Sequence, residues 1–228
     1  NQNGGITQHI EGFNCQSTAF GTSDAKPLTL SFYAKSSSQN NGHIYGVMLG
    51  AFLNGTRNAQ TRGFTVTSSW QRFSMTFEPN SLVTSTGINH NNSQGIQVFF
   101  SLAGGSNDLK NYSVWTNDQS LLGFTGQDNF FDNTSNEFFL TGVQLEVGKN
   151  ATSFEHLSFG EEILKCQRYY CKSNGYGTAP GSASIGGGVF NRHNGSISNR
   201  LDLGVRFPVT MRTTPTMTIY RKNGGAEN

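Results

Sequence analysis

Alternation of apolar and polar residues constrains this chain more than any other feature. Leu28, Leu30, Phe32 and Ala34 fall on one parity, and Thr29, Ser31, Tyr33 and Lys35 on the other. Successive strand side chains point to opposite faces, so this pattern predicts a strand with one buried face. Phe73, Met75 and Phe77 alternate with Arg72, Ser74 and Thr76 in the same way, and Ile96, Val98, Phe100 and Leu102 form a third such face. Phe138 to Val147 predicts a fourth strand, apolar on both parities at first and then alternating through Val143, Leu145 and Val147. Weaker strands are predicted at His43 to Phe52 and Thr61 to Thr67, and turn chemistry sits at Asn54-Gly55, Asn89 to Ser93 and Gly104 to Asn107. Strands of this kind joined by polar connections predict an all-β, two-sheet sandwich.

Two segments break the pattern. Asn107 to Asn136 has no regular alternation and is rich in Asp, Asn and aromatic residues. A connection this long is expected to be functional or to pack as a unit of its own. Ser158 followed three residues later by Glu161 is a capping box, predicting a short helix over Glu161 to Gln167, with Arg168 to Lys172 returning to strand. That helix places a domain boundary near residue 157, giving a first domain over 1–157 and a smaller β domain over 158–228. Strands are predicted in the latter at Gly186 to Asn191, Leu201 to Phe207 and Thr216 to Arg221. The chain opens on Asn1 and closes near a polar Asn223-Gly224-Gly225 stretch, and we read it as a piece of something longer.

Composition narrows the function. Only 13% of the 228 residues are charged, against about a quarter in ordinary soluble domains, while 28 are glycine. The surface is therefore expected to be neutral and polar, and the 18 phenylalanines supply the core that a disordered chain lacks. The net charge of +2 is scattered with no basic stripe, so no nucleic-acid partner is expected. No apolar run nears the roughly 20 residues that span a bilayer; the longest, Val47 to Leu53, is interrupted by Gly50. Cys15, Cys166 and Cys171 are expected to be free thiols in a reducing compartment.

Catalytic motifs are missing. There is no GxSxG elbow, HExxH helix or phosphate loop, and Gly186-Gly187-Gly188 is followed by no helix onset or lysine. The five histidines, His9, His43, His90, His156 and His193, are scattered. Asp128 with Asp132 is a carboxylate pair that could serve a hydrolase, a cation or a turn, whereas Glu161 with Glu162 is explained by the helix start. The chain is expected not to be an enzyme and to need no metal or cofactor. Loop aromatics are the better lead, because sugar C–H faces pack on aromatic rings while a few polar groups fix orientation. Tyr112 and Trp115 among Asn111, Asn117 and Asp118 make a candidate glycan site, with Trp115 alternatively plugging the edge of the core. Trp70, at the head of the Phe73–Phe77 strand, is expected in the core.

Several stretches also occur together in a recognisable order. Ile6-Thr7-Gln8-His9-Ile10-Glu11-Gly12 leads through Ala25-Lys26-Pro27 into the strand Leu28 to Ser36. Phe139-Leu140-Thr141-Gly142-Val143-Gln144-Leu145-Glu146-Val147-Gly148 runs into Ala151-Thr152-Ser153-Phe154-Glu155-His156. Gly160-Glu161-Glu162-Ile163-Leu164, Cys166-Gln167-Arg168-Tyr169-Tyr170, Arg206-Phe207-Pro208-Val209, Met211-Arg212 and Pro215-Thr216 follow. Over nearly the whole chain this set resembles the fibre and appendage structural proteins of tailed bacteriophages, especially marine ones. Residues 1–157 also resemble a jelly-roll carbohydrate-binding module, through the strand Leu28 to Lys35, the segment Thr67 to Phe77 and the closing strand ending in Gln144-Leu145-Glu146. Where such modules carry an acidic calcium ligand, this chain reads Thr141-Gly142-Val143-Gln144, and no metal is assigned. The resemblance implies a virion-surface protein, a homotrimer in contact with other virion proteins, that attaches to a host-surface glycan. A carbohydrate-binding module of a secreted enzyme and a purely architectural capsid or tail decoration are the alternatives.

Overall fold

The computed structural model describes residues 3–182, 206–220 and 226–227. The chain divides into two compact units, Asn1–Glu155 and His156–Asn228. The protein is mostly β, with two antiparallel sheets in the first unit and few helices.

In the first unit, β1 (Gly4–Glu11), β2 (Leu28–Ser36), β3 (Ile44–Leu53), β4 (Thr56–Thr65), β5 (Gln71–Phe77), the one-turn helix α1 (Ser81–Ser85), β6 (Gln94–Ala103) and β7 (Phe138–Val147) follow in order. One sheet has the order β1-β6-β3-β4 and the other β5-β2-β7. The β3–β4 hairpin closes on Asn54-Gly55 with φ of 46° and 82°, both in the left-handed region that a two-residue turn of this hand requires.

The alternation puts one parity of each sheet into a shared core. Leu28, Leu30, Phe32 and Ala34 from β2 meet Tyr45, Val47, Leu49 and Ala51 from β3 and Ile96, Val98, Phe100 and Leu102 from β6. Phe32 is the hub: its ring lies 5.1 Å from Phe64 and 5.0 Å from Phe100 on the opposite sheet, both edge-on, and stacks 5.2 Å from Phe73 on its own. Edge-to-face rings at such separations add to the area they bury. Asn40 is buried with them and fully used: its amide donates to the Tyr45 hydroxyl and to the Glu137 carbonyl, each at 3.0 Å, and its Oδ1 accepts from Ser37 at 2.7 Å.

β7 explains its mixed apolar pattern. Against β2, Ser31 pairs with Gln144 but Tyr33 pairs with Thr141, so Gly142 and Val143 oppose the single residue Phe32. This is a β-bulge, and Gly142 occupies it at φ 58°, where a side chain is strained. The bulge resets the parity, so Phe138 and Leu140 before it and Val143 and Leu145 after it all pack on the core.

The long connection is a cover. Leu121 packs with Met48 and Ala59 on the outer face of the four-stranded sheet, with Phe99 and Leu122 beside them. Phe124 enters a slot opened by the paired glycines Gly46 and Gly63, where a Cβ on Gly63 would sit 2.4 Å from the ring. Asp128 pairs with Ile44 through both its backbone and its carboxylate, and Asp132 accepts from Asn136 at 2.9 Å. Both carboxylates hold loop geometry.

Cys15 is buried against Gly95, and burial pushes its thiol up to about 11. Cys166 is exposed and Cys171 half-buried, and all three cysteines are free. A thiol reagent at about pH 8 is therefore expected to label Cys166 rapidly and Cys15 only after unfolding, since the thiolate is the reactive form. A single common rate for all three would contradict the packing of Cys15.

In the second unit, the capping box forms as the sequence predicts. The Ser158 hydroxyl accepts from the Glu161 backbone at 3.4 Å, and Glu161 Oε2 accepts from the Ser158 backbone at 2.9 Å, starting α2 (Phe159–Gln167). Arg168 to Lys172 is not a strand. Tyr169 and Tyr170 both donate to the Cys166 carbonyl at 3.0 Å, closing the helix with a turn. Of the strand predicted over Thr216 to Arg221, Ile219–Tyr220 (β8) is formed and pairs with Ala226–Glu227 (β9). The strands predicted at Gly186 to Asn191 and over most of Leu201 to Phe207 lie outside the described residues, as do the triple glycine and His193.

Candidate functional site

The residues singled out in the long connection do not form one surface. Residues 112–116 run along the free edge of β4: Thr61 N donates to Tyr112 O at 2.9 Å, and Ala59 and Thr116 exchange backbone bonds at 2.8 and 3.0 Å. Arg62, its guanidinium 5.0 Å from the centre of the Phe77 ring, donates to Ser113 O at 3.2 Å and to Gln60 Oε1 at 3.0 Å. Burial lowers the Arg62 pKa.

This edge pairing turns Trp115 inward. Its ring is 2% exposed and meets Phe20 edge-on at 5.7 Å, while Asn80, the cap of α1, donates to its carbonyl at 2.9 Å. Trp115 occupies the core position and presents no face to a sugar. Tyr112 is 36% exposed and Asn117 is exposed. Asp118 Oδ1 accepts from the Ser120 hydroxyl at 2.6 Å and its backbone at 2.9 Å, and that hydroxyl is the main reason its carboxyl sits below its ordinary range. Asp118 thus serves a local turn.

Trp70 is where aromatic surface is found instead. It was expected in the core and is 47% exposed. The register gives the reason. Ala34 pairs with Gln71, so Trp70 stands opposite Lys35 on the outer parity it shares with Arg72, Ser74 and Thr76. Lys35 pairs on its other side with Phe139, which is 39% exposed. Trp70, Lys35 and Phe139 therefore form one row across the three-stranded sheet. The two rings lean together, 6.5 Å apart at 67°, with the Lys35 ammonium 5.4 Å from Trp70 and 4.8 Å from Phe139. The adjoining row is Arg72, Tyr33 and Thr141, with Tyr33 38% exposed.

The other end of this face is covered. Gln144 donates to Thr152 Oγ1 at 3.1 Å and to Ser153 O at 3.3 Å, and Glu155 N donates back to Gln144 Oε1 at 2.8 Å. Glu146 accepts from Thr152 N at 3.1 Å, and Arg72 donates to Thr152 O. The Thr152 hydroxyl is the main reason the Glu146 carboxyl lies below its ordinary range, with Gln144 and the Arg72 charge adding. Residues 150–155 thus cover this end of the face, while Trp70 and Phe139 stay exposed at the other.

Among the described residues no three His, Cys, Asp or Glu side chains gather as a metal site, and no helix is long and apolar enough to cross a membrane. No family model, curated protein or solved structure matches the chain.

The sequence contained the signal for the row. The inward parity of Phe73, Met75 and Phe77 already assigns the even-numbered Trp70 to the outside. Its size suggested burial, but parity decides.

Proposed function

We propose that this chain is a non-catalytic structural protein of the bacteriophage virion, of tail-fibre or head-fibre type, whose first unit is a jelly-roll attachment module for a host-surface glycan. The observation that carries this reading is the open Trp70–Lys35–Phe139 row. Its residues stand on three neighbouring strands, or immediately beside them, so the sheet fixes their spacing before any ligand arrives. Two exposed rings on such a frame suit the C–H faces of a sugar, and no covalent step is needed.

Assembly as a homotrimer on the virion surface belongs to the same proposal. No described residue of the second unit is buried, and Phe159, Leu164 and Tyr170 are exposed on or next to α2. Association between copies would cover such side chains, and several weak sites on one particle would bind a glycan-coated surface by avidity.

A glycan array probed with the purified chain tests the reading. Wild type is expected to bind a restricted set of glycans, and Trp70→Ala to weaken that binding by at least about tenfold, as loss of an aromatic anchor does. Full binding by Trp70→Ala, or no glycan bound by wild type, overturns the proposal.

A further inference from the structure

We infer that the Trp70–Lys35–Phe139 row selects anionic glycans, taking a sugar carboxylate or sulfate on the Lys35 ammonium while the rings hold the sugar face. The inference rests on the glycan-attachment reading and adds the class of sugar.

Charge carries it. The Lys35 ammonium has three N–H donors and is in no ion pair among the described residues. Among the described residues no side-chain hydrogen bond ties Lys35 down either. Its position is set by the two rings flanking it, 5.4 and 4.8 Å from their centres. A cation so placed is attracted to both ring faces and keeps its donors open to a ligand. Arg72 adds a second positive charge in the adjoining row, where its side chain donates to the neutral Thr152 carbonyl and its charge also bears on Glu146. Of the carboxylates near this face, Glu146 is two rows beyond Arg72 and engaged with Thr152, and the exposed Glu137, two residues before Phe139, makes no ion pair with Lys35 among the described residues. The open half of the face therefore carries two cations, Lys35 and Arg72, neither of them in an ion pair among the described residues.

The alternatives fit less well. A neutral sugar would stack on the rings and leave the ammonium unused. A second copy meeting this face through a two-fold axis would set Lys35 against Lys35. A nucleic-acid strand offers a phosphate per nucleotide and draws affinity from several cations, and this face has two.

Binding of the full chain to three polysaccharides at low salt tests the inference: a uronate polymer, a sulfated galactan and the same galactan without sulfate. Wild type is expected to bind at least one acidic polymer about tenfold or more tightly than the neutral one, the size of one charge-assisted hydrogen bond. The preferred acidic polymer distinguishes carboxylate from sulfate. Added salt should shrink the preference. Lys35→Gln should bring acidic binding down to the neutral level, Lys35→Arg should keep the preference, and Trp70→Ala should weaken every sugar. Matching melting curves for Lys35→Gln and Lys35→Arg would assign the difference between them to charge.

Equal binding of acidic and neutral polymers by wild type, or a preference that survives Lys35→Gln, overturns the acidic-sugar inference while glycan attachment stands. Failure of wild type to bind any sugar overturns both. So would tighter binding to a single-stranded oligonucleotide than to every polysaccharide, or an association of copies that Trp70→Ala abolishes.

Discussion

Replacing Trp115 by alanine lowers the stability of the first unit by about 3–5 kcal/mol, the usual cost of deleting a large buried aromatic ring. The side chain is among the largest fully buried ones, and Phe20 contacts it edge-on. The backbone around it cannot follow the loss. Asn80 holds the Trp115 carbonyl, and Thr116 is locked to Ala59 by two backbone bonds, so much of the vacated volume remains as a cavity. Trp115→Phe should cost far less, because the indole Nε1 hydrogen has no acceptor among the described residues and its removal forfeits no hydrogen bond. Urea denaturation followed by circular dichroism measures both. Neither substitution touches the Trp70 row, so each folded variant should bind its glycan as wild type does. A loss under about 1 kcal/mol for Trp115→Ala would be incompatible with a buried ring. Loss of glycan binding by a stably folded Trp115→Ala would return the search for the site to Tyr112, Asn117 and Asp118.

What the sequence revealed follows from what parity encodes. β2, β5 and β6 each turn alternate apolar residues into the shared core, so their alternation was legible. β3 buries both faces from Tyr45 to Ala51, so alternation is lost there and a cover on the second face is required. That requirement is met by Leu121, Leu122 and Phe124, whose role lay hidden because isolated apolar residues in a loop have no period. β1 was missed as a strand for the opposite reason. From Gly5 to His9 its residues are exposed, so backbone pairing with β6 defines it rather than burial. Among the aromatic residues, side-chain size misled. Trp70 and Trp115 are the chain's two tryptophans, and each takes its place from the pairing of its neighbours: Gln71 with Ala34 turns Trp70 out, and Thr116 with Ala59 turns Trp115 in.

Deleting Gly142 is expected to be the most damaging single-residue change outside the core. Across the bulge, Phe138 and Leu140 share the inner face with Val143 and Leu145 only because one extra residue resets the parity. Without it, one half of β7 must turn over. If the first half holds its register, Val143 and Leu145 swing outward while Gln144 and Glu146 swing into a core with no partners for them. If the second half holds, Phe138 and Leu140 leave the core and Phe139 enters it, which dismantles the aromatic row. Burying a carboxylate without a partner, or exposing two apolar anchors, each costs several kcal/mol, comparable with a domain's whole stability of about 5–15 kcal/mol. Gly142→Ala is the milder control. It keeps the residue count and adds only the left-handed strain of about 1–2 kcal/mol, with a Cβ placed 3.1 Å from the Tyr33 ring. Thermal unfolding should therefore show no cooperative transition for the deletion and a modestly lowered one for Gly142→Ala. Similar melting of the two variants would mean that β7 tolerates either parity. The bulge would then not be what puts Phe139 beside Lys35 on the same face that carries Gln144 and Glu146, and the aromatic row would need another explanation for its place on the sheet.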